Sequence, residues 1–281
     1  MHYRCPVCQR HRLTEFEGGW VCPEQHRFDR SSKGYVNLLL AHQTRSKMPG
    51  DASSMLAARR QFLSEGYYQS LATAVAAAAA DETSIQSGWL EVGCGEGYYL
   101  STLQQRGVPA SDLWGIDIAK GAVQMAAQRK LGVNLAVAAA RALPFFDHSF
   151  TRILSIFSPF DLAEIERVLR PGGGFIVVGP GEAHLREIKA LIYASVEPHA
   201  GNFALLDQNV RWQETSRSKV QEGVVLKDAA LQSLFRMTPY YWSATPAQQQ
   251  HIETLSELEV TLDFELRCYE VAVGTPKPVD G

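Results

Sequence analysis

The chain has 281 residues, 46% of them hydrophobic and 10% aromatic, with a formal net charge of −3. That composition excludes a disordered or low-complexity polypeptide. It supports a sizeable core, arranged as one large domain plus a small one or as two of medium size. The small net charge conceals an asymmetry, because residues 1–60 carry ten Lys/Arg and five Asp/Glu, a net of +5 that leaves −8 for the rest. A basic end on an acidic body points to an anionic partner met from that end, with ordinary scatter of charge as the plainer reading.

The five cysteines stand at positions 5, 8, 22, 94 and 268. Three cluster and two lie far away, which suits a reducing compartment and metal binding rather than paired disulfides; Cys94 and Cys268 read as small core hydrophobes. No apolar leader opens the chain, and its most apolar run, Leu71 to Ala80, is too short to span a bilayer. A cytoplasmic protein with no membrane partner is therefore expected.

From the N-terminus, Cys5, Cys8, Cys22 and His26 form C-x₂-C-x₁₃-C-x₃-H. Three thiols and an imidazole at this spacing close a tetrahedral zinc site, with His11 as a rival fourth ligand. Four protein ligands leave no open position, so the zinc is structural. Residues 1–40 have too little apolar area to fold alone, and a metal supplies the missing stability. Trp20-Val21 and Phe28 read as the skirt of two short hairpins, and Lys33 to Leu39 as a closing strand. Residues 41–55 have linker composition. A helical stretch from Met55 to Ala80 breaks near Gly66, and Asp81 to Gly88 connects onward.

Strand and helix then alternate. Trp89 to Val92 is a strand and Tyr98 to Gln105 a helix. Leu113 to Ile116, ending at Asp117, is a second strand, and Gly121 to Lys130 a second helix. Val133 to Val137, Thr151 to Phe157 and Gly174 to Gly179 are further strands, with a helix from Leu162 to Leu169 before the last. Continuous apolar strands separated by helices build a doubly wound, mostly parallel sheet. Beyond it, Glu182 to Val196 reads as a helix, Val224 to Met237 as a strand piece and a helix, and Met237 to Trp242 as an aromatic loop. Leu258 to Val273 reads as a long strand or hairpin, and Gly274 to Gly281 as a frayed tail.

Gly93, Gly95 and Gly97 stand between the first strand and its helix as G-x-G-x-G. Lack of Cβ permits a tight turn and close approach of a ligand. The dinucleotide fingerprint is one residue longer, and Tyr98 stands in the place of its third glycine. The shorter spacing, with Glu91 two residues before the first glycine, resembles motif I of class I S-adenosylmethionine-dependent methyltransferases. That ligand presents a cationic amino acid end, which Glu91 would attract. Asp117, twenty residues after Gly97, is placed to accept ribose hydroxyls. Ala142-Leu143-Pro144-Phe145 and Leu169-Arg170-Pro171-Gly172-Gly173 match the same superfamily in the same order. A nicotinamide or flavin Rossmann domain is the rival.

Taken with Cys5-Pro6-Val7-Cys8, Cys22-Pro23 and His26, several segments closely resemble the RlmA-type 23S rRNA guanine-N1 methyltransferases. They are Gly34 to Leu39, Pro49-Gly50-Asp51, Ala58 to Leu63, Gly93 to Tyr99, Pro180-Gly181 with His184-Leu185, and Met237-Thr238-Pro239. The resemblance implies a doubly wound seven-stranded class I methyltransferase sheet, α/β and Rossmann-like, with a small zinc-ribbon-like N-terminal domain. The expected division is 1–40 for zinc binding and RNA recognition, 41–55 as linker, and 56–281 for the methyltransferase domain. The resemblance also implies a homodimer and a 23S rRNA hairpin as partner. Tyr68, Gly97, Tyr98 and His184 match the family's cofactor positions, alongside Glu91, Gly93, Gly95 and Asp117. Ser158-Pro159-Phe160 is similar to the Asn-Pro-Pro-Tyr of amino-methylating enzymes but lacks the amide, which suits a ring nitrogen. Asp161, Glu182 and His184 are candidate general bases. Tyr35, Phe157, Phe160 and Trp242 are candidate stacking partners, each with a core role as the alternative. Arg4, Arg10, Arg12, Arg27, Arg30, Lys33, Arg45, Lys47, Arg59 and Arg60 are candidate phosphate contacts. A small-molecule methyltransferase and a non-catalytic zinc protein that binds S-adenosylmethionine are the competing functions.

Overall fold

A computed structural model of the chain describes residues 2–43, 50–79, 88–194 and 203–272. Arg45 and Lys47, most of the loop after Ala80, and the tail from Gly274 lie outside them. The N-terminal region holds a small antiparallel sheet of β1 (Thr14–Phe16), β2 (Gly19–Val21) and β3 (Arg27–Asp29). Gly18, at φ +91°, makes the β1–β2 turn. A side chain on Gly19 would meet the carbonyl of Phe28 at 2.4 Å, so only glycine lets these strands approach.

The next strand, β4 (Val36–Asn37), corrects one expectation. It touches the small module through an antiparallel bridge between Val36 and Arg30, but its main pairing lies elsewhere. It pairs in parallel with β7 (Asn134–Val137) and becomes the outermost strand of the main sheet. Helices α1 (Ser53–Ser64) and α2 (Gln69–Ala79) follow, broken at Gly66 as the sequence suggests. Then come β5 (Trp89–Val92), α3 (Tyr98–Gln105), β6 (Leu113–Asp117), α4 (Lys120–Gln128) and β7, followed by β8 (Phe150–Ile156), α5 (Leu162–Val168) and β9 (Leu169–Pro180). The remaining elements are α6 (Arg186–Ile192), α7 (Phe203–Asp207), β10 (Trp212–Lys227), α8 (Asp228–Arg236), α9 (Pro239–Ser243), α10 (Pro246–Thr254) and β11 (Glu257–Val271).

The main sheet has the order β10-β11-β9-β8-β5-β6-β7-β4. Seven strands come from the α/β body and the eighth is β4. From β4 to β9 the pairing is parallel, while β11 runs antiparallel to both β9 and β10. Strand order reverses between β5 and β8, and in such sheets ligands bind outside the carboxyl ends of the strands at the reversal. One face is covered by a core that includes Phe62, Leu71, Trp89, Leu100, Leu234 and Phe264. The opposite core joins Tyr3, Leu13 and Cys22 of the N-terminal module to Trp114, Phe145, Phe150 and Phe175. The module is therefore welded to the sheet: the Tyr3 ring lies 5.0 Å from Trp114 and 5.6 Å from Phe145.

Three other local expectations change. The aromatic stretch after Met237 is helical at α9, with Pro239 at its first turn. The helix expected from Glu182 starts only at Arg186, because the 181–184 turn leads into Leu185 at φ +53°. Strand β10 begins at Trp212, well before the apolar piece near Val224.

Candidate metal centre and cofactor cavity

The ligand atoms of Cys5, Cys8, Cys22 and His26 all lie within 4.8 Å of one another. His26 Nδ1 is 3.2 Å from Cys22 Sγ and 3.7 Å from Cys5 Sγ. A tetrahedral site with bonds of about 2.0–2.3 Å has edges of about 3.3–3.8 Å, so the donors fit zinc. The local fold explains the convergence. Gln9 and Gln25 sit in the left-handed region at φ +53° and +64°, and their N–H groups donate to the carbonyls of Cys5 and Cys22 at 2.9 Å. Burial pushes the Cys8 thiol up, but N–H groups of Arg10 and His11 aimed at the sulfur prevail and bring it down to about 6. His11 faces Glu24 instead, with Nε2 3.3 Å from Oε1. Cys94 is buried beside the sheet and Cys268 is half-buried, both packed as hydrophobes.

The second site is a cavity of about 1110 Å³ outside the carboxyl ends of β5, β6, β7, β8 and β9. Tyr68, Glu91, Gly93, Gly95, Tyr98, Asp117 and His184 all line it, as does Asp161. Gly97 lies behind the wall, at φ +82°, where a side chain would press on Ala126 at 3.1 Å. Glu182 is exposed and outside the wall.

Each polar group has a distinct state. The Asp117 carboxylate accepts the N–H of Gly95 at 2.9 Å and of Ala119 at 2.8 Å, which ties the glycine loop to the end of β6. Burial nevertheless raises its carboxyl above the ordinary range. Glu91 is 2% exposed and its Oε2 has no hydrogen-bond partner among the described residues. Burial, with the carboxylates of Asp117 and Glu96 beside it, pushes the Glu91 carboxyl well up. A cationic group arriving there would relieve both the missing partner and the repulsion. His184 is buried, and its Nδ1 accepts the N–H of Asp263 at 3.2 Å. Burial, aided by Lys189, lowers its imidazole to about 3, so the ring is neutral and carries its proton on Nε2.

The structure adds residues that the sequence reading did not assign to the cavity. Glu96, 1% exposed, sits between two guanidinium groups, with Arg60 Nε at 3.0 Å and Arg129 Nη2 at 2.6 Å. Arg59 pairs with Asp51 at 2.5 Å over the same opening. Arg59 is thus paired in the cavity wall and Arg60 is paired with Glu96 beside it. Arg10 pairs with Glu24 and Arg30 with Glu15, whereas Arg12, Arg27 and Lys33 are exposed. The carboxylate within G-x-G-x-G, with arginines on the flanking helices, is the signal that would have found the Glu96 clamp. Among the candidate aromatics, Tyr35 is buried with its hydroxyl bonded by Gln124, and Phe160 packs edge-on against Phe175.

Known families meet these two sites. The zinc-ribbon family described as "RlmA, N-terminal" matches residues 3–47, and the "Methyltransferase domain" family matches residues 90–173. The 23S rRNA (guanine(748)-N(1))-methyltransferase of Streptomyces fradiae is 30% identical over 249 residues, covering 87% of each chain. A Micromonospora griseorubida protein with a provisional 23S rRNA (guanine-N(1)-)-methyltransferase designation is 31% identical over 290 residues, 95% of this chain and 97% of its own. A Bacillus subtilis (strain 168) protein with the same provisional designation is 29% identical over 273 residues, covering 94% and 95%. A ribbon with four converging ligands and a cavity at the sheet reversal, together with similarity along nearly the whole length, place this chain in the 23S rRNA (guanine-N1) methyltransferase family, whose members join a zinc ribbon to an S-adenosylmethionine-dependent methyltransferase domain.

Proposed function

We propose that this chain transfers a methyl group from S-adenosylmethionine to N1 of a specific guanine in a 23S rRNA hairpin, acting in the cytoplasm as a homodimer. The similarity that runs unbroken from ribbon to sheet carries the reading, because a generic methyltransferase would share only the second part. The ribbon of β1 to β3 is the recognition module, with zinc on Cys5, Cys8, Cys22 and His26; β4 already belongs to the methyltransferase sheet and α1 starts at Ser53, so the expected bounds at 40 and 55 shift. Exposed Arg12, Arg27 and Lys33 supply positive charge for phosphate contacts. Among the described residues no helix is long and apolar enough to cross a membrane.

The bound donor supplies an electrophilic methyl group on a sulfonium. The chain has to align it with the acceptor and manage one proton. Glu91 Oε2 would receive the donor's ammonium end, and the lone pairs that Asp117 does not give to Gly95 and Ala119 would receive the ribose hydroxyls. Gly93, Gly95 and Gly97 would let the backbone come close to the donor, Tyr68 and Tyr98 would help hold it from the cavity wall, and His184 has its Nε2 proton free to donate. Guanine N1 carries a proton that must leave. Asp161 suits that role better than its two rivals. It lies in the cavity wall at the start of α5, and one carboxylate oxygen is held by the N–H of Glu164 at 3.1 Å. His184 already accepts at Nδ1, and Glu182 points away.

The test is transfer of labelled methyl to 23S rRNA from cells lacking this protein, with the modified base mapped by mass spectrometry. N1-methylguanine at one site is expected. Unmarked rRNA together with alkylation of a free metabolite would establish the small-molecule reading instead.

A further inference from the structure

Phe157 stands out in the cavity wall. It follows β8 directly, at the strand reversal, and its backbone lies in the left-handed region at φ +51°. A bulky aromatic residue there is a rare and strained conformation, kept only where the surroundings enforce it. The enforcing contact is its N–H, which donates to the carbonyl of Val178 on β9 at 3.0 Å. The strain is not repaid by burial, because the residue remains 43% exposed. Behind it stands a buried aromatic wall. The His184 ring is nearly parallel to it, 19° between planes and 6.3 Å between centres, and Phe264 and Tyr68 are 5.8 and 6.4 Å away. The cavity is also roomy: 1110 Å³ exceeds the range of roughly 300–1,000 Å³ that one small ligand usually occupies.

We propose that Phe157 is the platform on which the target base stacks once it has left its helix. The proposal rests on the nucleic-acid methylation argued above and assigns the acceptor side of the same site. A base drawn out of a stack loses its neighbours, and a fixed aromatic face returns that contact. The left-handed backbone falls where β8 ends, and it leaves the Phe157 ring lining the cavity and partly exposed. Competing aromatics are worse placed: Phe160 lines the wall but is partly buried and packed edge-on against Phe175, Trp242 is 60% exposed but lies outside the wall, and Tyr35 is buried.

The experiment compares wild type with Phe157→Leu, Phe157→Gly and Phe157→Trp, using 23S rRNA from cells lacking the protein. Methylation kinetics are measured at saturating donor, donor affinity by calorimetry, and folding by thermal melting. Phe157→Leu and Phe157→Gly are expected to lose about 10- to 100-fold in kcat/KM for RNA, equivalent to about 1.4–2.8 kcal/mol. Their donor affinity should stay within about twofold, and Phe157→Trp should retain most of the activity. Phe157→Gly also removes the strained φ, which offsets part of the packing lost with the ring, so it carries the test if Phe157→Leu unfolds. Wild-type turnover in the Leu or Gly variant, an equal loss in the Trp variant, or a parallel loss of donor affinity would overturn the platform alone. Failure of the wild type itself to methylate rRNA would overturn the reaction and the platform with it.

Discussion

Gly93 and Ser158 interlock the two loops that meet at the sheet reversal, and breaking the interlock should be measurable as a coupling energy. A methyl group on Gly93 would sit 1.8 Å from Ser158 Oγ and 2.4 Å from Ser158 Cβ. Rotating the hydroxyl removes only the first clash, so the backbone has to shift. Gly93 also has φ +73°, which costs any residue with a Cβ about 1–2 kcal/mol. Adding overpacking of about 1–3 kcal/mol, Gly93→Ala should destabilise by about 2–5 kcal/mol, or very roughly 4–10 °C in a chain of this size. Ser158→Gly removes the obstructing Cβ, leaving Ser158 Cα at an unstrained 3.8 Å. It costs about 0.5–1 kcal/mol by itself in chain entropy. The double variant should therefore recover about 1–3 kcal/mol relative to additivity, while the φ penalty persists. Urea denaturation of the four proteins closes the cycle. Additive losses, or a Gly93→Ala variant as stable as wild type, would refute the proposed interlock.

Chelation of zinc should deprotect amides 3–30 in hydrogen exchange while β5, β6, β8 and β9 stay protected; simultaneous loss of both regions would contradict a locally metal-stapled ribbon. Glu96→Gln should leave the Arg60 and Arg129 guanidinium groups without their buried anion and lower stability by about 3 kcal/mol, read by thermal melting; an unchanged melting temperature would mean the clamp is dispensable. His184 is lowered to about 3 by burial, with Lys189 acting in the same direction and Asp263 against it. Its folded state therefore binds fewer protons than the unfolded chain, so its contribution is complete above about pH 6.5 and is lost as pH falls from 6.5 toward 3. His184→Gln should flatten that part of the stability profile, and parallel curves for the two proteins would show that His184 is not the titrating group.

The α/β body was legible because its central strands are buried and mostly apolar, as Leu113 to Ile116 and Ile153 to Ile156 show. β10 was not, because it is an edge strand. Its stretch Gln213 to Lys219 is polar, with one face in solvent, and only pairing with β11 reveals it. α10 has little apolar periodicity, but its start was written in the sequence: Thr245 and Gln248 form a capping box around Pro246. The zinc ligands were readable because their spacing is local. Glu91 and Asp117 were readable because they are tied to strand ends. The Glu96–Arg60–Arg129 clamp joins the glycine loop to α1 and to the end of α4, a long-range pairing that sequence reading missed, having placed Arg60 among the phosphate contacts. Phe157 was visible as an aromatic residue, but its strain and exposure exist only in three dimensions.

The placement of β4 joins the two halves of the molecule more closely than a tethered domain would. Without it, β7 would be a bare parallel edge with unpaired N–H and C=O groups. The pairs Val36 with Ala136 and Asn37 with Val137 cover that edge, and the Leu38 N–H extends it to the Val137 carbonyl at 2.9 Å. On the neighbouring stretch the Arg4 N–H donates to the Pro144 carbonyl at 2.9 Å, and Arg141 bonds the Gln43 carbonyl. The strand so covered leads straight into Ala138 to Arg141, which wall the donor cavity, while Asp51 and Arg59, which follow the segment after β4, close over it. The metal-stapled region and the donor site thus share one strand edge and one arginine contact. The N-terminal segment thus contributes to the edge that leads into the cavity wall, and the chain's basic and acidic portions, separate in sequence, form a single packed body.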